Sequence, residues 1–291
     1  MISRRNSTWR VGRGRALELG PHGHIMAIVN VTPDSFSDGG RHAGVDAAVA
    51  HALACVREGA VILDIGGEST RPGAAEVTAL EEQDRVLPVI EKLSAATDAL
   101  ISIDTYRAET ARLAVEAGAH IVNDVHGLQR EPAIAAVVAA TGAGICIMHT
   151  GRGREEEKRA DRIDDQAFFL TRSLGLARSA GIADDAIMLD PGFGFAKDRG
   201  DDMELMARFA ELHRLGFPLL AGTSRKRFIG AVTGRERPDE RDVATAATTA
   251  ILRLAGAAIF RVHNVAANRD ALLMADAVLA VVNACEKKGD G

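Results

Sequence analysis

The sequence predicts a single α/β domain folded as a (β/α)8 TIM barrel. Eight short apolar runs alternate with segments of helical periodicity along the 291 residues, and no linker or change of composition divides the chain. Fully apolar runs are typical of parallel strands covered on both faces, and their alternation with helices indicates βαβ units. An open, doubly wound sheet is the alternative. Eight units in about 250 residues favour the closed barrel.

Each strand of this barrel is predicted from one apolar run. The runs are HIMAIVN at 24–30, AVILDIGGES at 60–69, ALISIDT at 99–105, HIVNDV at 120–125, AGICIMHT at 143–150, AIMLDPG at 186–192, FPLLAGTS at 217–224 and AIFRVHN at 258–264. Helical segments lie between them, for example DAAVAHALACVREGA and EEQDRVLPVIEKLSAA. We therefore expect one domain over residues 1–291, with the barrel over about 24–284 and an N-terminal extension at 1–23.

The composition excludes several classes of protein. Aromatic residues make up only 4% of the chain, so aliphatic side chains must dominate the core. A net charge of -5 without a basic block argues against nucleic acid as a partner. The three cysteines, Cys55, Cys146 and Cys285, are widely spaced, which fits a reducing cytoplasm rather than a disulfide framework. The basic N-terminus lacks the apolar stretch of a signal peptide. The sequence contains no 18-residue apolar span, so no membrane helix is predicted.

Polar residues follow every predicted strand. They are Asn30, Asp64, Glu68, Asp104, Asn123, His149, Asp190, Ser224, Lys226, Arg261 and His263. Each of them alone could be a turn residue or a helix cap. The C-terminal strand ends of a TIM barrel, however, form its active-site face. Amides, acids and cations gathered on that face predict a site for a polar, partly anionic ligand.

Seven motifs in chain order carry a resemblance to a known family. They are NVTPDSFSDGG, DIGGESTRPGA, SIDTY, NDV, DPGFGFAK, GTSRKRFIG and RVHNV. No single motif is decisive, but the ordered series resembles the dihydropteroate synthases over roughly residues 24 to 284. The resemblance implies a homodimeric TIM barrel in folate biosynthesis, the target of sulfonamides. Such an enzyme joins 6-hydroxymethyl-7,8-dihydropterin diphosphate to 4-aminobenzoate with Mg²⁺, and releases diphosphate and dihydropteroate.

The resemblance assigns six residues to the pterin: Asp104, Asn123, Met148, Asp190, Lys226 and Arg261. Carboxylates and an amide suit the aminopyrimidine edge of a pterin, as the same groups suit the edges of nucleobases. Lys226 is expected to donate to the ring carbonyl. Arg261 is expected to stack its guanidinium on the ring face. Met148 would supply apolar packing, although a place in the core explains that residue equally well.

The diphosphate is assigned to Asn30, Thr70, Arg71, Arg261 and His263. Arg261 and His263 lie two apart on one predicted strand, so their side chains share a face and can reach the same anion. By resemblance Asn30 also contacts Mg²⁺. That ion prefers oxygen ligands and keeps several waters while it bridges phosphates, so one protein oxygen is enough.

The aminobenzoate site is assigned to two loops and two strand ends. Its residues are Phe36, Thr70, Pro72, Phe195 and Ser224. The TPDSFSDGG and ESTRPGAAE loops are expected to close over the substrates and exclude water. The residues expected to be catalytic are Asp38, Arg71, Asp104, Asp190 and Lys226.

The expected reaction is substitution at the exocyclic CH₂ of the pterin, along a dissociative, carbocation-like path. Cationic residues and Mg²⁺ would stabilise the departing diphosphate, and Asp104 and Asp190 would stabilise the positive charge on the pterin. A weakly basic arylamine needs no general base, and the sequence indicates none.

Three stretches depart from the pattern of the family. The charged run at 151–166 is predicted to be a solvated loop or helix face. Asn264 stands where Asp is usual, and Arg227 stands where a small Ser is common. None of these departures removes an assigned residue.

Two other functions remain open from the sequence. A methyltetrahydrofolate:corrinoid methyltransferase would share the pterin acids and amide, but it has no need for the two loops. A non-catalytic pterin-binding paralogue would keep the pterin site and bind pterin without turnover.

Overall fold

Eight parallel strands form a nearly closed barrel with helices between them, which confirms the predicted fold. The computed structural model describes residues 7–31, 40–68, 77–154 and 158–289. The strands are β1 (Ser7–Arg10), β2 (Ala16–Leu19), β3 (His24–Asn30), β4 (Ile62–Gly66), β5 (Leu100–Asp104), β6 (Ile121–Asp124), β7 (Gly144–Met148), β8 (Ile187–Asp190), β9 (Leu220–Ala221) and β10 (Ile259–Val262). Strands β3 to β10 each lie inside one of the eight predicted runs.

The strand order is that of a barrel. The hydrogen-bonded order is β8-β7-β6-β5-β4-β3-β10-β9, and every pair in it is parallel. A parallel bridge between Leu189 and Leu219 joins β8 to the residues that lead into β9. The first and last strands of the sheet therefore meet, and all eight C-terminal strand ends lie at one rim.

The helices cover the outside of the barrel. They are α1 (Gly40–Glu58), α2 (Ala79–Ala96), α3 (Ala108–Ala117), α4 (Ala133–Thr141), α5 (Arg162–Ser179), α6 (Arg199–Ala207), α7 (Arg227–Thr233), α8 (Asp242–Leu254) and α9 (Val265–Gly289). A capping box of Thr78 and Glu81 starts α2, and one of Asp198 and Asp201 starts α6. Two helices, α7 and α8, follow β9, whereas one follows each of the other barrel strands.

The lower interior of the barrel is apolar and its floor is an N-terminal hairpin. One buried layer contains Met26, Ile62, Leu100, Ile121, Cys146, Met188, Leu220 and Ile259. Strands β1 and β2 form an antiparallel hairpin that packs beneath this layer. Its Trp9 is fully buried and donates its indole N–H to the carbonyl of Ala186 at 2.9 Å. The predicted N-terminal extension therefore closes the end of the barrel that lies opposite the polar strand ends.

The prediction that the 151–166 run is solvated is wrong for its buried members. Arg154, Asp165 and Gln166 are all at least nine-tenths buried. Asp165 Oδ2 lies 3.1 Å from His149 Nε2, and its Oδ1 accepts from Arg154 Nη2 at 3.4 Å and from the Arg159 N–H at 3.1 Å. Charge patterning indicates exposure only when charged side chains lack partners, and here the partners lie at the end of β7 and in α5.

The helices also bear on the question of a membrane span. Across the part of the chain that the structure describes, none of them combines the length and the apolar character needed to cross a bilayer.

Candidate active site

A buried arginine–carboxylate group lies at the C-terminal strand ends. Arg261 on β10 donates from Nε to Asp64 Oδ2 and from Nη2 to Asp104 Oδ2, each at 2.6 Å. The Asp64 side chain has no exposed surface, that of Asp104 is 9% exposed and that of Arg261 is 19% exposed. Asn123 Nδ2 donates to the same Asp64 oxygen at 3.2 Å. Charges this deeply buried persist only when they are paired.

Strand register explains why these residues meet. Asp104 on β5 lies opposite Gly66 on β4 and Asn123 on β6. Asp64 lies two residues before Gly66, so its side chain enters the interior directly above the apolar layer. Its Oδ1 is buried without a hydrogen-bond partner among the described protein groups. Buried carboxylate oxygens are normally satisfied, so this atom can accept a hydrogen bond from a ligand N–H.

Burial raises the pKa of the site acids. The pKa of Asp104 is raised to about 7 because burial disfavours its charged form, although the positive charge of Arg261 opposes the shift. Burial also raises the pKa of Asp190, against a hydrogen bond of 2.7 Å from the Gly192 N–H to Asp190 Oδ1. Near neutral pH, Asp104 can therefore change its charge when a ligand binds.

Lys226 lies at the start of α7, beside an apolar group. Its Nζ lies 4.1 Å from the ring centroid of Phe195, a cation–π distance. Phe195 packs with Val125 and Met148 in a small buried cluster that Tyr106 borders. Burial, together with the nearby charge of Arg261, lowers the pKa of Lys226 to about 8. The cluster therefore offers an aromatic and aliphatic wall beside a cationic donor.

The DPGFGF turn after β8 depends on glycine. Gly192 has φ +64°, and a Cβ at that position would lie 2.0 Å from the carbonyl oxygen of His149. The same turn binds Lys197, whose Nζ donates to the Gly192 carbonyl at 2.7 Å and lies 3.1 Å from His149 Nδ1. Burial lowers the pKa of Lys197 to about 8. A second lysine thus lies at this rim close to Asp190, whose negative charge opposes that shift.

Ser224 and His263 contact each other at the ends of β9 and β10. The Ser224 hydroxyl lies 2.9 Å from His263 Nδ1 and accepts from the His263 backbone N–H at 3.1 Å. The predicted aminobenzoate residue and the predicted diphosphate residue are therefore neighbours.

Asn30 ends β3 opposite Gly66, at the level of Asp104. Its Oδ1 lies 3.9 Å from the position of a Cβ on Gly66, so glycine leaves space beside this oxygen. No group of three or more His, Cys, Asp or Glu side chains suited to a metal occurs among the described residues. The amide oxygen of Asn30 therefore lies at the rim beside Gly66.

Three residues of this site have no specific role predicted from the sequence. Asp64 ion-pairs with Arg261, Lys197 binds the DPGFGF turn, and Arg107 donates to Glu68 at 2.7 Å and to the Val77 carbonyl at 2.6 Å. Asp64 did carry a signal, since an acid in the middle of the apolar run ILDIG must be paired when it is buried. Lys197 ends the DPGFGFAK motif but received no role of its own, and Arg107 carried no signal, because exposed turns contain the same residue types.

Five predicted site residues lie outside the described residues, in the predicted TPDSFSDGG and ESTRPGAAE loops. They are Phe36, Asp38, Thr70, Arg71 and Pro72. The other assigned residues all lie at the C-terminal rim or in its loops. They are Asn30, Asp104, Asn123, Met148, Asp190, Phe195, Ser224, Lys226, Arg261 and His263.

The chain is similar to known proteins over most of its length. The sequence profile of the pterin binding enzyme family matches residues 26–263. The dihydropteroate synthase of Escherichia coli K12 is 41% identical over 273 residues, covering 92% of this chain and 95% of that protein. A Xanthomonas albilineans dihydropteroate synthase solved with 4-aminobenzoic acid is 45% identical, with a TM-score of 0.88, covering 94% of this chain and 99% of that one. The same enzyme with 7,8-dihydropteroate is 43% identical, with a TM-score of 0.83, covering 92% and 97%.

Proposed function

This chain belongs to the pterin binding enzymes and, among them, to the dihydropteroate synthases, and from that premise we propose how its barrel catalyses their reaction. The enzyme joins 6-hydroxymethyl-7,8-dihydropterin diphosphate to 4-aminobenzoate. The observation that carries this proposal is the buried group of Asp64, Asp104, Asn123 and Arg261 at the strand ends. Such a group supplies fixed hydrogen-bond acceptors to the N–H edge of a pterin and positive charge near its diphosphate.

The reaction exchanges one bond of the pterin CH₂ group. The C–O bond to the diphosphate breaks with both electrons leaving on oxygen, and the arylamine nitrogen forms the new C–N bond and then releases a proton. Ionised Asp104 and Asp190 stabilise the positive charge that develops on the pterin. Lys226 donates to the ring carbonyl, and Arg261 lies between the acids and the departing anion. Phe195 and Met148 give the rings an apolar wall.

Asn30 is our proposed protein ligand for Mg²⁺. The amide oxygen at the end of β3 would suit Mg²⁺, because this ion prefers oxygen ligands and usually keeps several waters. When bound, Mg²⁺ would neutralise charge on the leaving diphosphate. His263 and Arg261, on the same face of the β10 strand end, bind the same anion.

A diphosphate-release assay on the full chain tests the proposed function. We expect release that requires both 4-aminobenzoate and Mg²⁺ and that yields dihydropteroate. Tight pterin binding by titration calorimetry without release would instead identify a non-catalytic pterin-binding paralogue. Transfer of a methyl group to a corrinoid would identify the methyltransferase.

Asn123→Ala should weaken pterin binding rather than slow the chemistry alone. Asn123 is 2% exposed and donates to Asp64, so its removal leaves a buried carboxylate with one fewer donor. Such losses amount to about 1–3 kcal/mol, which is roughly a 5- to 150-fold change in the dissociation constant. Titration calorimetry with the pterin diphosphate measures it. The control is Gln83→Ala, which removes a buried amide on α2 that donates to Thr110. Equal affinity of the Asn123 variant and wild type would contradict the assignment.

We propose a homodimer formed through the last two helices. Apolar side chains are exposed on α8 at Val243, Ile251 and Leu254, and on α9 at Leu273, Met274, Val278 and Val281. Helices α8 and α9 pack against each other, so these side chains can form one continuous apolar surface. Contiguous exposed apolar surface is typical of interfaces.

Light scattering at micromolar concentration should give twice the chain mass of 30.8 kDa. Met274→Glu should shift the mass toward the single chain, because it places a charge in the interface. Leu80→Glu, an exposed apolar position on α2, is the matched control and should leave the mass unchanged. A single-chain mass for the wild type would exclude the dimer.

The free cysteines Cys55, Cys146 and Cys285 support our placement of the enzyme in the cytoplasm.

A further inference from the structure

The turns after β9 and β10 both carry predicted site residues. Ser224 and Lys226 lie in the first turn and His263 lies in the second. The two turns touch where the Ser224 hydroxyl accepts from the His263 N–H at 3.1 Å. The same hydroxyl also lies 2.9 Å from His263 Nδ1. Contacts through this hydroxyl do not by themselves hold two irregular segments in a single geometry, because both backbones retain other soft dihedrals.

Arg225, between Ser224 and Lys226, has an uncommon backbone conformation. Its φ is +59°, in the left-handed region that non-glycine residues seldom occupy, at a cost of order 1–3 kcal/mol. The guanidinium forms a two-point ion pair with Asp242, from Nε to Oδ1 at 2.7 Å and from Nη2 to Oδ2 at 2.8 Å. The Arg225 N–H donates to Thr245 Oγ1 at 3.1 Å. Helix α8, which contains Asp242 and Thr245, therefore holds this turn.

Asn264 connects the second turn to the same carboxylate. Its Nδ2 donates to Asp242 Oδ2 at 3.0 Å, and its Oδ1 accepts from the Ala267 N–H at 3.1 Å in the first turn of α9. An aspartate at 264 could accept from the Ala267 N–H equally well. It could not donate to Asp242, and two carboxylates would then face each other.

We infer that Asp242 is a positioning residue of the active site. It holds the Ser224–Lys226 turn and the His263 turn in one arrangement, through Arg225 on one side and Asn264 on the other. The inference rests on the proposed function, because it concerns the placement of Lys226 and His263 toward the pterin diphosphate. The Asp242 carboxylate is suited to this task, since its pKa is lowered by the hydrogen bond from Arg225 and it stays charged at neutral pH.

Asn264→Asp tests the inference, because it keeps the cap of α9, removes the donor to Asp242 and places a second carboxylate opposite it. We expect kcat/KM for the pterin diphosphate to fall by about tenfold or more, since small displacements of binding groups have effects of this size. The loss should lie mainly in KM for the pterin diphosphate. Asp242→Asn removes the charge that pairs with Arg225, and it should show the same rise in KM.

The control is Asp239→Asn, which removes a carboxylate from the same segment but from an exposed pair with Arg237. It should retain wild-type kinetics. Unchanged kcat/KM in Asn264→Asp would overturn the inference. A loss in Asn264→Asp that Asp242→Asn does not share would also overturn it, because both turns depend on the same carboxylate. If the wild type itself shows no turnover, the proposed function fails. The positioning role is then judged by calorimetry with inorganic diphosphate, where Asn264→Asp should bind more weakly than wild type and Asp239→Asn should not.

Discussion

Arg261→Ala is expected to lower the free energy of unfolding by about 3 to 5 kcal/mol, because it leaves two buried carboxylates without their counter-ion. Arg261 contacts both Asp64 and Asp104 at 2.6 Å, and neither acid can turn to solvent. Urea unfolding of the full chain measures the change. Pterin binding should be lost in parallel, since the acceptors lose the group that orients them.

The loss of stability in Arg261→Ala should grow as the pH rises. In the wild type the pKa of Asp104 is raised from 3.8 to about 7, and the charge of Arg261 opposes that rise. Between these values the folded state binds a proton that the unfolded state releases, so stability falls with increasing pH. Without Arg261 the folded-state pKa is higher still, and the decline extends to higher pH. The difference from wild type should therefore be larger at pH 8 than at pH 5.

The control for Arg261→Ala is Arg112→Ala on α3, which breaks two exposed ion pairs, with Glu109 and Glu116. Such surface pairs contribute little to stability, because water and salt screen them. The double variant Arg261→Ala with Asp104→Asn should recover part of the lost stability, since one carboxylate no longer needs a partner. A deficit for Arg261→Ala that is the same at both pH values would contradict this account of the site.

Asp104→Asn should separate stability from activity. We expect turnover to fall by about a hundredfold, because a neutral amide cannot stabilise positive charge on the pterin. Stability at pH 8 should equal or exceed that of the wild type, because asparagine does not require burial of a charge. In the wild type, the raised pKa of Asp104 contributes stability that is fully present below pH 3.8 and is lost as the pH rises through about 7. The variant should lack that decline.

The pH profile of kcat/KM gives a second measurement of Asp104. In the wild type, activity should rise through about pH 7 as Asp104 ionises and fall above about pH 8 as Lys226 loses its proton. Asp104→Asn should lose the acidic limb and keep the basic limb. Asp185→Asn, which alters an exposed pair with Arg10, should change neither. Wild-type turnover in Asp104→Asn would show that this carboxylate is not part of the mechanism.

Most of the fold could be predicted from the sequence because burial leaves a local pattern. Strands covered on both faces need continuous apolar runs, so each of the eight barrel strands could be located in its run. The end of each run in a polar residue also placed Asn30, Asp104, Asn123 and Asp190 at one rim of the barrel. The hairpin of β1 and β2 escaped prediction, because two four-residue strands with one buried residue each resemble an ordinary terminus.

The sequence by itself determined the fold class, the family and the residue types at the strand ends. Only the tertiary structure decided which of those residues pair. Asp64 and Arg261 are 197 positions apart, and they meet because barrel closure places β10 next to β3 and within reach of β4. Tertiary structure likewise decides the pairing of Arg154 with Asp165 and His149, and the pairing of Asp242 with Arg225 and Asn264. A single sequence carries no record of such pairs, because the energy of a buried charge depends on partners that only strand register and closure bring within hydrogen-bond distance.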